Sequence, residues 1–367
     1  MKIIGIIGGG QLGMMMTEAA HKLGFKVVVL DPTPNCPCGQ IAEEQIVANY
    51  DDEIALEQLC QKSDVVTYEF ENVPYTSVKK FKSSYNIPQG EMPLYLSQHR
   101  LREKEAATKA GAVCGEYVGV ETVKELEEGI EKLDYPCVLK TCSGGYDGKG
   151  QVVLKSEKEL PQAKQLVEKA ACILEKFISY DCEISVIVTR SITGEVTTLP
   201  ITQNIHKDNI LFMSIAPAPV PERILKKAEI ITKQMMENLD FYGTLAIEMF
   251  VVGEEVLFNE MAPRPHNSGH YSIEGCETSQ FEQHVRAITG MPLGKTTLKQ
   301  PTIMVNYLGQ HVEGVKLLEK ENLPNVFIHD YGKAAPAHNR KMGHITFLNY
   351  SQRKVADLIQ KFYHLTT

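Results

Sequence analysis

Two glutamates in neighbouring apolar runs carry the most chemistry in this chain. Glu248 stands in TLAIEMFVV and Glu260 in VLFNEMAP. A carboxylate among Leu, Ile, Met, Phe and Val is costly to bury unless a cation or hydrogen bonds compensate it. The two runs read as a hairpin around Gly253-Glu254-Glu255. A three-residue loop with a bulge would set the carboxylates directly opposite each other, whereas a two-residue loop would put them on opposite faces. Like charges facing each other need a counter-ion. With oxygen ligands, and Asn259 beside them, the fitting ion is Mg²⁺ shared with substrate phosphates. The plainer alternative pairs one Glu with Arg or Lys and leaves the other in water.

Other stretches fit around that pair. In SGGYDGKGQ, Gly144, Gly145, Gly148 and Gly150 make a hairpin whose amides can close over a polyphosphate, with Lys149 adding charge. Lys140 ends the preceding strand, YPCVLK, and suits α- or β-phosphates as a point charge. In ACILEKFISYDCE an apolar run ends at Glu175 and Glu183 opens the next strand, as in a hinge offering backbone to adenine and a carboxylate to ribose. Taken alone, either Glu at such a position is more often a solvated strand end. APRPHNSGHYS places Arg264, His266, Asn267 and Ser268 in one donor-rich loop suited to an anion. His266 and His270 are four apart, but Pro263, Pro265 and Gly269 argue against the helix that metal ligation at this spacing needs. TQNIHKDNI adds His206 beside Asn204 and Lys207, and NRKMGH adds Arg340, Lys341 and His344.

The elements that must position these residues are legible as alternating patterns. From residue 1 to about 90, strands Ile3–Ile7, Val27–Leu30 and Val65–Phe70 alternate with helices over 11–23 and 53–61, which predicts a doubly wound parallel sheet. Its ligand rim would be Gly8–Gly13, Asp31–Pro34 and Glu69–Asn72. GGGQLG fits the dinucleotide fingerprint, with Asp31 about twenty residues on, yet a βαβ turn needs such glycines for packing alone. The pattern stops near IPQGEMP, short of a six-strand dinucleotide domain. LSQHRLREKEAATKAGA reads as one helix ending at Gly111, and 122–132 as an acidic helix. IMVNYLG, FIHDYGK and NRKMGHITF read as strands of a C-terminal antiparallel sheet.

Bulk properties exclude some classes. A chain of 367 residues holds two or three domains, and net charge −8 without a Lys/Arg block argues against nucleic acid as the main partner. MKIIGIIGGG is too short an apolar run for a membrane span. It reads as a buried strand rather than a leader, so the expected location is the cytoplasm with no membrane role. Nine cysteines with only Cys36-Pro37-Cys38 close together predict free thiols, no zinc site and no thiol nucleophile.

In this order, Lys140, the glycine-rich lid, Glu175, Glu183, Glu248 and Glu260 resemble the ATP-grasp superfamily. Within it, GGGQLGMM, LDPTPNCP, YEFENVP, SGGYDGKGQ, TQNIHKDNI, FNEMAPRPHNSGH and RKMGH resemble the N5-carboxyaminoimidazole ribonucleotide synthetases along residues 5–344. The resemblance implies an α/β pre-ATP-grasp domain over 1–97 that binds no nicotinamide. It implies an α+β ATP-grasp domain over 98–295 with a mobile lid at about 115–176, and a mostly-β segment over 296–367. It implies a ligase that phosphorylates bicarbonate with ATP and Mg²⁺ and carboxylates 5-aminoimidazole ribonucleotide in purine biosynthesis. A homodimer and hand-over of product to the carboxyaminoimidazole ribonucleotide mutase are implied as well.

Residue by residue, the resemblance places ATP at Arg100, Lys140, the lid Gly145, Tyr146, Asp147, Gly148, Lys149, Gly150 and Gln151, and the hinge Glu175, Lys176, Phe177 and Ile178. Glu183, His206, Asn259 and Glu260 complete that set, and Glu248 with Glu260 takes the metal. The ribonucleotide falls to Gln11, Glu71, Tyr146, Arg264, His266, Asn267, Ser268, Lys333 and Arg340. His266, Arg264, Asp147 and Lys149 are the implied catalytic group, with His266 titrating near neutrality to orient the amine or take its proton. Lys149 stands where many relatives have Arg, keeping charge without the bidentate fork. A formate-using glycinamide ribonucleotide transformylase would share Lys140 and the metal pair but lack RPHNSGH.

Overall fold

The structure, a computed structural model, describes residues 2–145 and 150–363. Four parallel strands open the chain, in the order Glu44–Ile46, Lys26–Leu30, Ile3–Ile7, Val65–Tyr68. The three strands other than the edge strand Glu44–Ile46 are nearly all apolar because both faces are covered. Ile4, Ile6, Val27 and Val29 pack under helix Gln11–Lys22. Ile7, Val28, Leu30 and Val66 pack on the other side against residues of helices Glu53–Lys62 and Tyr75–Lys82. Ile7 is in register with both Leu30 and Tyr68, so the residues that follow, Gly8, Asp31 and Glu69, share one rim.

The helix expected from Leu96 to Gly111 is two helices, Met92–Ser97 and Arg100–Lys109, because His99 between them is extended. At the break, Cys142 O accepts the Arg100 N–H and Gln98 O accepts the Ser143 hydroxyl. Arg100 thereby starts a new helix whose inner face carries Glu103, Lys104 and Ala107.

A four-stranded antiparallel sheet follows, in the order Tyr117–Val120, Cys172–Lys176, Cys137–Thr141, Gln151–Leu154. Helix Val123–Leu133 begins at Thr122 in a reciprocal cap with Glu125 and packs on this sheet through Leu126 and Leu133. The third sheet is the largest. Its long strands Cys182–Arg190, Gly243–Val252 and Glu255–Ala262 lie side by side, with helix Glu222–Asn238 on the core beneath them. Helix Gln280–Thr289 wedges between that sheet and the first domain, where Phe281, Val285 and Ile288 meet Leu12, Met15 and Met16.

The C-terminal strands Thr302–Leu308, Val326–Asp330 and Lys341–Leu348 are antiparallel. They extend the large sheet through Ile210–Ala216. Helices Val312–Lys320 and Gln352–Tyr363, which the strand pattern did not reveal, cover them with Val315, Leu318, Val355 and Phe362. Among the described residues no helix is long and apolar enough to cross a membrane, and all nine cysteines are free.

Candidate active site

The three sheets meet around a cavity of about 560 Å³. Glu248 and Glu260 are paired across the hairpin, but not by the expected route. Val252 pairs with Glu255, so the turn is the two residues Gly253-Glu254. The register slips between Glu248 and Met249, leaving Asn259 as the extra residue of a bulge. The bulge repairs the face that a two-residue turn would have reversed, and it brings Asn259 and Glu260 together to the cavity wall.

Burial, reinforced by the carboxylates of Glu183 and Glu260, pushes the Glu248 carboxyl well above its ordinary range. Glu183 is pushed up to about 7, mainly by burial, despite accepting a hydrogen bond from Asn204 Nδ2 at 3.0 Å. Such a cluster of acids fits a cation. No group of three or more His, Cys, Asp and Glu among the described residues could hold a metal alone. The donor set is two carboxylates and an amide that need substrate oxygens to complete it, as Mg²⁺ sites commonly do.

Cations approach from the opposite wall. Arg100 Nη1 lies 3.4 Å from Glu260 Oε2. Lys140 lines the cavity with its ammonium 2.6 Å from Glu175 Oε2, while Glu175 Oε1 lies 2.7 Å from Lys104 Nζ. Glu175 is thus turned away from the cavity, and Lys140 and Lys104 overcome the cost of its burial to pull it down to about 2. The Lys176 ammonium donates to Leu133 O at 2.7 Å, and Phe177 is exposed. Neither these residues nor Ile178 line the cavity. Gly145, Gly150 and Gln151 do, as do Glu183 and His206, whose Nδ1 is 3.7 Å from Glu183 Oε1. Tyr146, Asp147, Gly148 and Lys149 lie outside the described residues.

At the far end, Arg264 Nε donates to Glu71 Oε2, a contact that holds the Glu71 carboxyl below its ordinary range against the effect of burial. His266 Nε2 is 3.6 Å from Glu248 Oε1. Its Nδ1 accepts the Ser268 N–H at 3.3 Å and sits 2.8 Å from the Ser268 hydroxyl, which places the ring proton on Nε2. The expectation that His266 titrates near neutrality is corrected here. Burial, then Arg264 and Lys341, hold the ring well below its ordinary value and hence neutral. Asn267 and Asn306 exchange amide hydrogen bonds. Gln11 and Glu71 line the same end of the cavity.

Lys333 and Arg340 do not line the cavity. The Lys333 ammonium donates to Lys341 O at 2.8 Å and Arg340 Nη1 to Ala335 O at 2.9 Å. Burial and the nearby Arg340 lower Lys333 to about 8. The neighbouring Lys341 reaches the cavity; NRKMGH marked it in the sequence, but the resemblance gives the ribonucleotide only Lys333 and Arg340 from this segment. Glu103 was also missed: it is buried in the cavity wall, accepts the Met261 N–H at 2.6 Å and is pushed up to about 8 by burial and Glu260. Its signal is the spacing from Arg100, three residues along one helix face.

The GGGQLG loop has its amides filled from within. Glu69 accepts the N–H groups of Gly10 and Gly13 at 2.5 Å each, and Asp31 accepts that of Gly9 at 2.7 Å. A pyrophosphate at this helix N-terminus would have to displace two carboxylates. Gly13 is required for packing, since a Cβ there would lie 2.8 Å from Gly8 O.

Comparison with known proteins agrees with this geometry. The ribonucleotide synthetase preATP-grasp domain family matches residues 1–98 and the ATP-grasp domain family residues 105–281. The phosphoribosylaminoimidazole carboxylase C-terminal domain family matches residues 302–358. The chain is 49% identical over 349 residues to the N5-carboxyaminoimidazole ribonucleotide synthase of Bacillus subtilis, covering 94% of this chain and 91% of that one. It is 44% identical to a Staphylococcus aureus enzyme of the same name, covering 98% and 96%. A crystal structure of an N5-carboxyaminoimidazole ribonucleotide synthetase in complex with ADP superposes with a TM-score of 0.95 at 48% identity, over 99% and 96% of the two chains. A synthase from Aspergillus clavatus, in complex with ADP and 5-aminoimidazole ribonucleotide, superposes at 0.91 with 31% identity, over 98% and 97%.

Proposed function

The chain belongs to the N5-carboxyaminoimidazole ribonucleotide synthase family of ATP-grasp ligases, and on that footing we propose how its cavity divides the work. The reaction is the ATP- and bicarbonate-dependent carboxylation of 5-aminoimidazole ribonucleotide to its N5-carboxyamino product in purine biosynthesis. Bicarbonate is a poor electrophile because hydroxide leaves badly. Its oxygen attacks the terminal phosphorus of ATP, ADP departs, and carboxyphosphate is formed. The exocyclic amine then attacks the carboxyl carbon, phosphate leaves and the amine loses a proton.

Catalysis of this kind is positioning and charge neutralisation. Glu248 and Glu260, with Asn259 adjacent, would hold Mg²⁺, which supplies charge neutralisation at the phosphates. Arg100, Lys140 and the lid from Gly145 to Gln151 face the phosphates from the other wall. Contacts from the hinge Glu175–Ile178 would come from backbone, since the Glu175 and Lys176 side chains are engaged elsewhere. Glu183 serves the ribose and His206 the nucleotide neighbourhood.

The ribonucleotide lies toward Gln11, Glu71, Arg264, His266, Asn267 and Ser268, with Tyr146 and Asp147 from the lid. Lys341 at the cavity wall, and Lys333 and Arg340 beside it just outside the cavity, would bind its 5′-phosphate. Arg264 steadies developing negative charge, neutral His266 orients the amine, and Asp147 and Lys149 complete the catalytic group. In this reading 1–97 serves the acceptor, 98–295 the nucleotide, and 296–367 closes the phosphate end. The enzyme works as a cytoplasmic homodimer and passes its product to the carboxyaminoimidazole ribonucleotide mutase.

The observation that carries the reading is the opposed pair Glu248 and Glu260 sharing one cavity with the Arg264–Asn267 loop. ADP release measured with ribonucleotide and bicarbonate omitted in turn tests it. Full turnover must require both, and undiminished release without bicarbonate would overturn it.

A further inference from the structure

We infer that Gln280 is a positioning residue for the carboxylation step, acting through the backbone of His266. His266 is extended, with φ −123° and ψ 154°, between Pro265 and the short helical turn Asn267–Gly269. It belongs to no strand; its C=O accepts the Gly269 N–H at 3.0 Å within the loop, and its N–H needs a partner from elsewhere. The fully buried side chain of Gln280 supplies that acceptor and a second donor to the C=O. Gln280 Oε1 accepts the His266 N–H at 2.8 Å, and Gln280 Nε2 donates to His266 O at 2.7 Å. A primary amide offers donor and acceptor side by side, so here it pairs with one residue as a neighbouring strand would. The same Nε2 donates to His270 Nδ1 at 3.1 Å.

The amide has no freedom to turn away. Gly269 faces it so closely that a Cβ there would lie 2.4 Å from Gln280 Oε1. The Gln280 N–H donates to Ser272 Oγ, which itself donates to Gly269 O at 2.6 Å. Gln280 also starts the helix Gln280–Thr289, capped by Ser279 and packed against both the first domain and the large sheet. The ring of His266 is set by Ser268 of its own loop, while the backbone that carries it toward Glu248 is tied by Gln280 to the junction of two domains.

The inference rests on the reading that His266 orients the reacting amine. Gln280→Met keeps the volume and loses both hydrogen bonds, while Gln280→Glu keeps an acceptor for the His266 N–H and loses the donor. Steady-state kinetics would be measured for both, for His266→Ala, and for the Gln280→Met/His266→Ala double variant. Gln280→Met should lower kcat by about a hundredfold, the effect of a small misplacement at a reacting group, and leave KM for ATP within about twofold. Gln280→Glu should fall between it and wild type, and it decides the matter alone if Gln280→Met fails to fold. The double variant should be no slower than His266→Ala, because both changes remove one function.

If His266→Ala is impaired while the Gln280 variants keep wild-type kcat, the inference falls and the reading of His266 stands. If the two losses multiply, or KM for ATP rises in step, Gln280 acts on the fold rather than through His266 and the inference is overturned. Wild-type turnover in His266→Ala would overturn the reading of His266 and the inference with it.

Discussion

Replacing Glu175 by Gln separates two roles for a residue that reads from sequence as part of a nucleotide hinge. In the structure its carboxylate bridges Lys104 at 2.7 Å and Lys140 at 2.6 Å, with the three side chains only 13%, 6% and 21% exposed. A carboxyl ordinarily near 4.5 that titrates near 2 in the folded chain contributes roughly 3 kcal/mol at neutral pH. The sign follows from the lowered value. The contribution is complete above the unfolded pKa and is lost as pH falls through the folded one, leaving roughly 1 kcal/mol at pH 3. Glu175→Gln should therefore lower the unfolding midpoint clearly at pH 7, and the gap from wild type should narrow in acid. Because the variant leaves the buried Lys104 and the cavity-lining Lys140 without this carboxylate, ADP with Mg²⁺ should raise its midpoint more than that of wild type. The assay is thermal unfolding at pH 7 and pH 3, with and without Mg·ADP, beside KM for ATP. Unchanged stability with a raised KM for ATP would refute the reasoning and return the carboxylate to the nucleotide.

Three further outcomes are expected. Glu248→Gln or Glu260→Gln should abolish Mg²⁺-dependent ATP turnover, with metal-free thermal stability unchanged or higher, since each change relieves repulsion between the facing acids, of which Glu248 is buried; melting in EDTA beside turnover checks both halves. Arg340→Ala or Lys333→Ala should raise KM for the ribonucleotide by about tenfold to a hundredfold, the cost of one charge-assisted contact, with KM for ATP nearly unchanged. Lys333 is lowered to about 8 by burial and the nearby Arg340, and only its protonated form binds a phosphate as a cation. kcat/KM for the ribonucleotide should fall as pH rises through that value, and Lys333→Arg should remove the decline.

The periodic elements were legible because their signals are local. Three strands of the first sheet are apolar on both faces, and the helix Val123–Leu133 carries its own cap. Glu248 opposite Glu260 was legible as a conflict of charge in an apolar hairpin, but the route was not. Where a bulge falls depends on contacts of the strand's free edge, and Glu103 of another helix takes the Met261 N–H beside this one. The break at His99 was hidden because its partners, Cys142 and Ser143, lie more than forty residues away. Glu175 looked like a free strand-end acid because Lys104 and Lys140 come from two other elements. GGGQLG was ambiguous alone, and its resolution rests on Glu69, fifty-nine residues from Gly10. What sequence withholds in each case is a partner brought in by tertiary packing.

Bicarbonate labelled with oxygen-18, supplied with ATP and 5-aminoimidazole ribonucleotide, tests most directly whether this cavity activates bicarbonate by phosphorylation. Mass spectrometry of the phosphate released alongside ADP reads the outcome. The account predicts that each phosphate formed with carboxylated product carries one oxygen from bicarbonate, because that oxygen bridges carbon and phosphorus in carboxyphosphate. Unlabelled phosphate accompanying carboxylated product would contradict it.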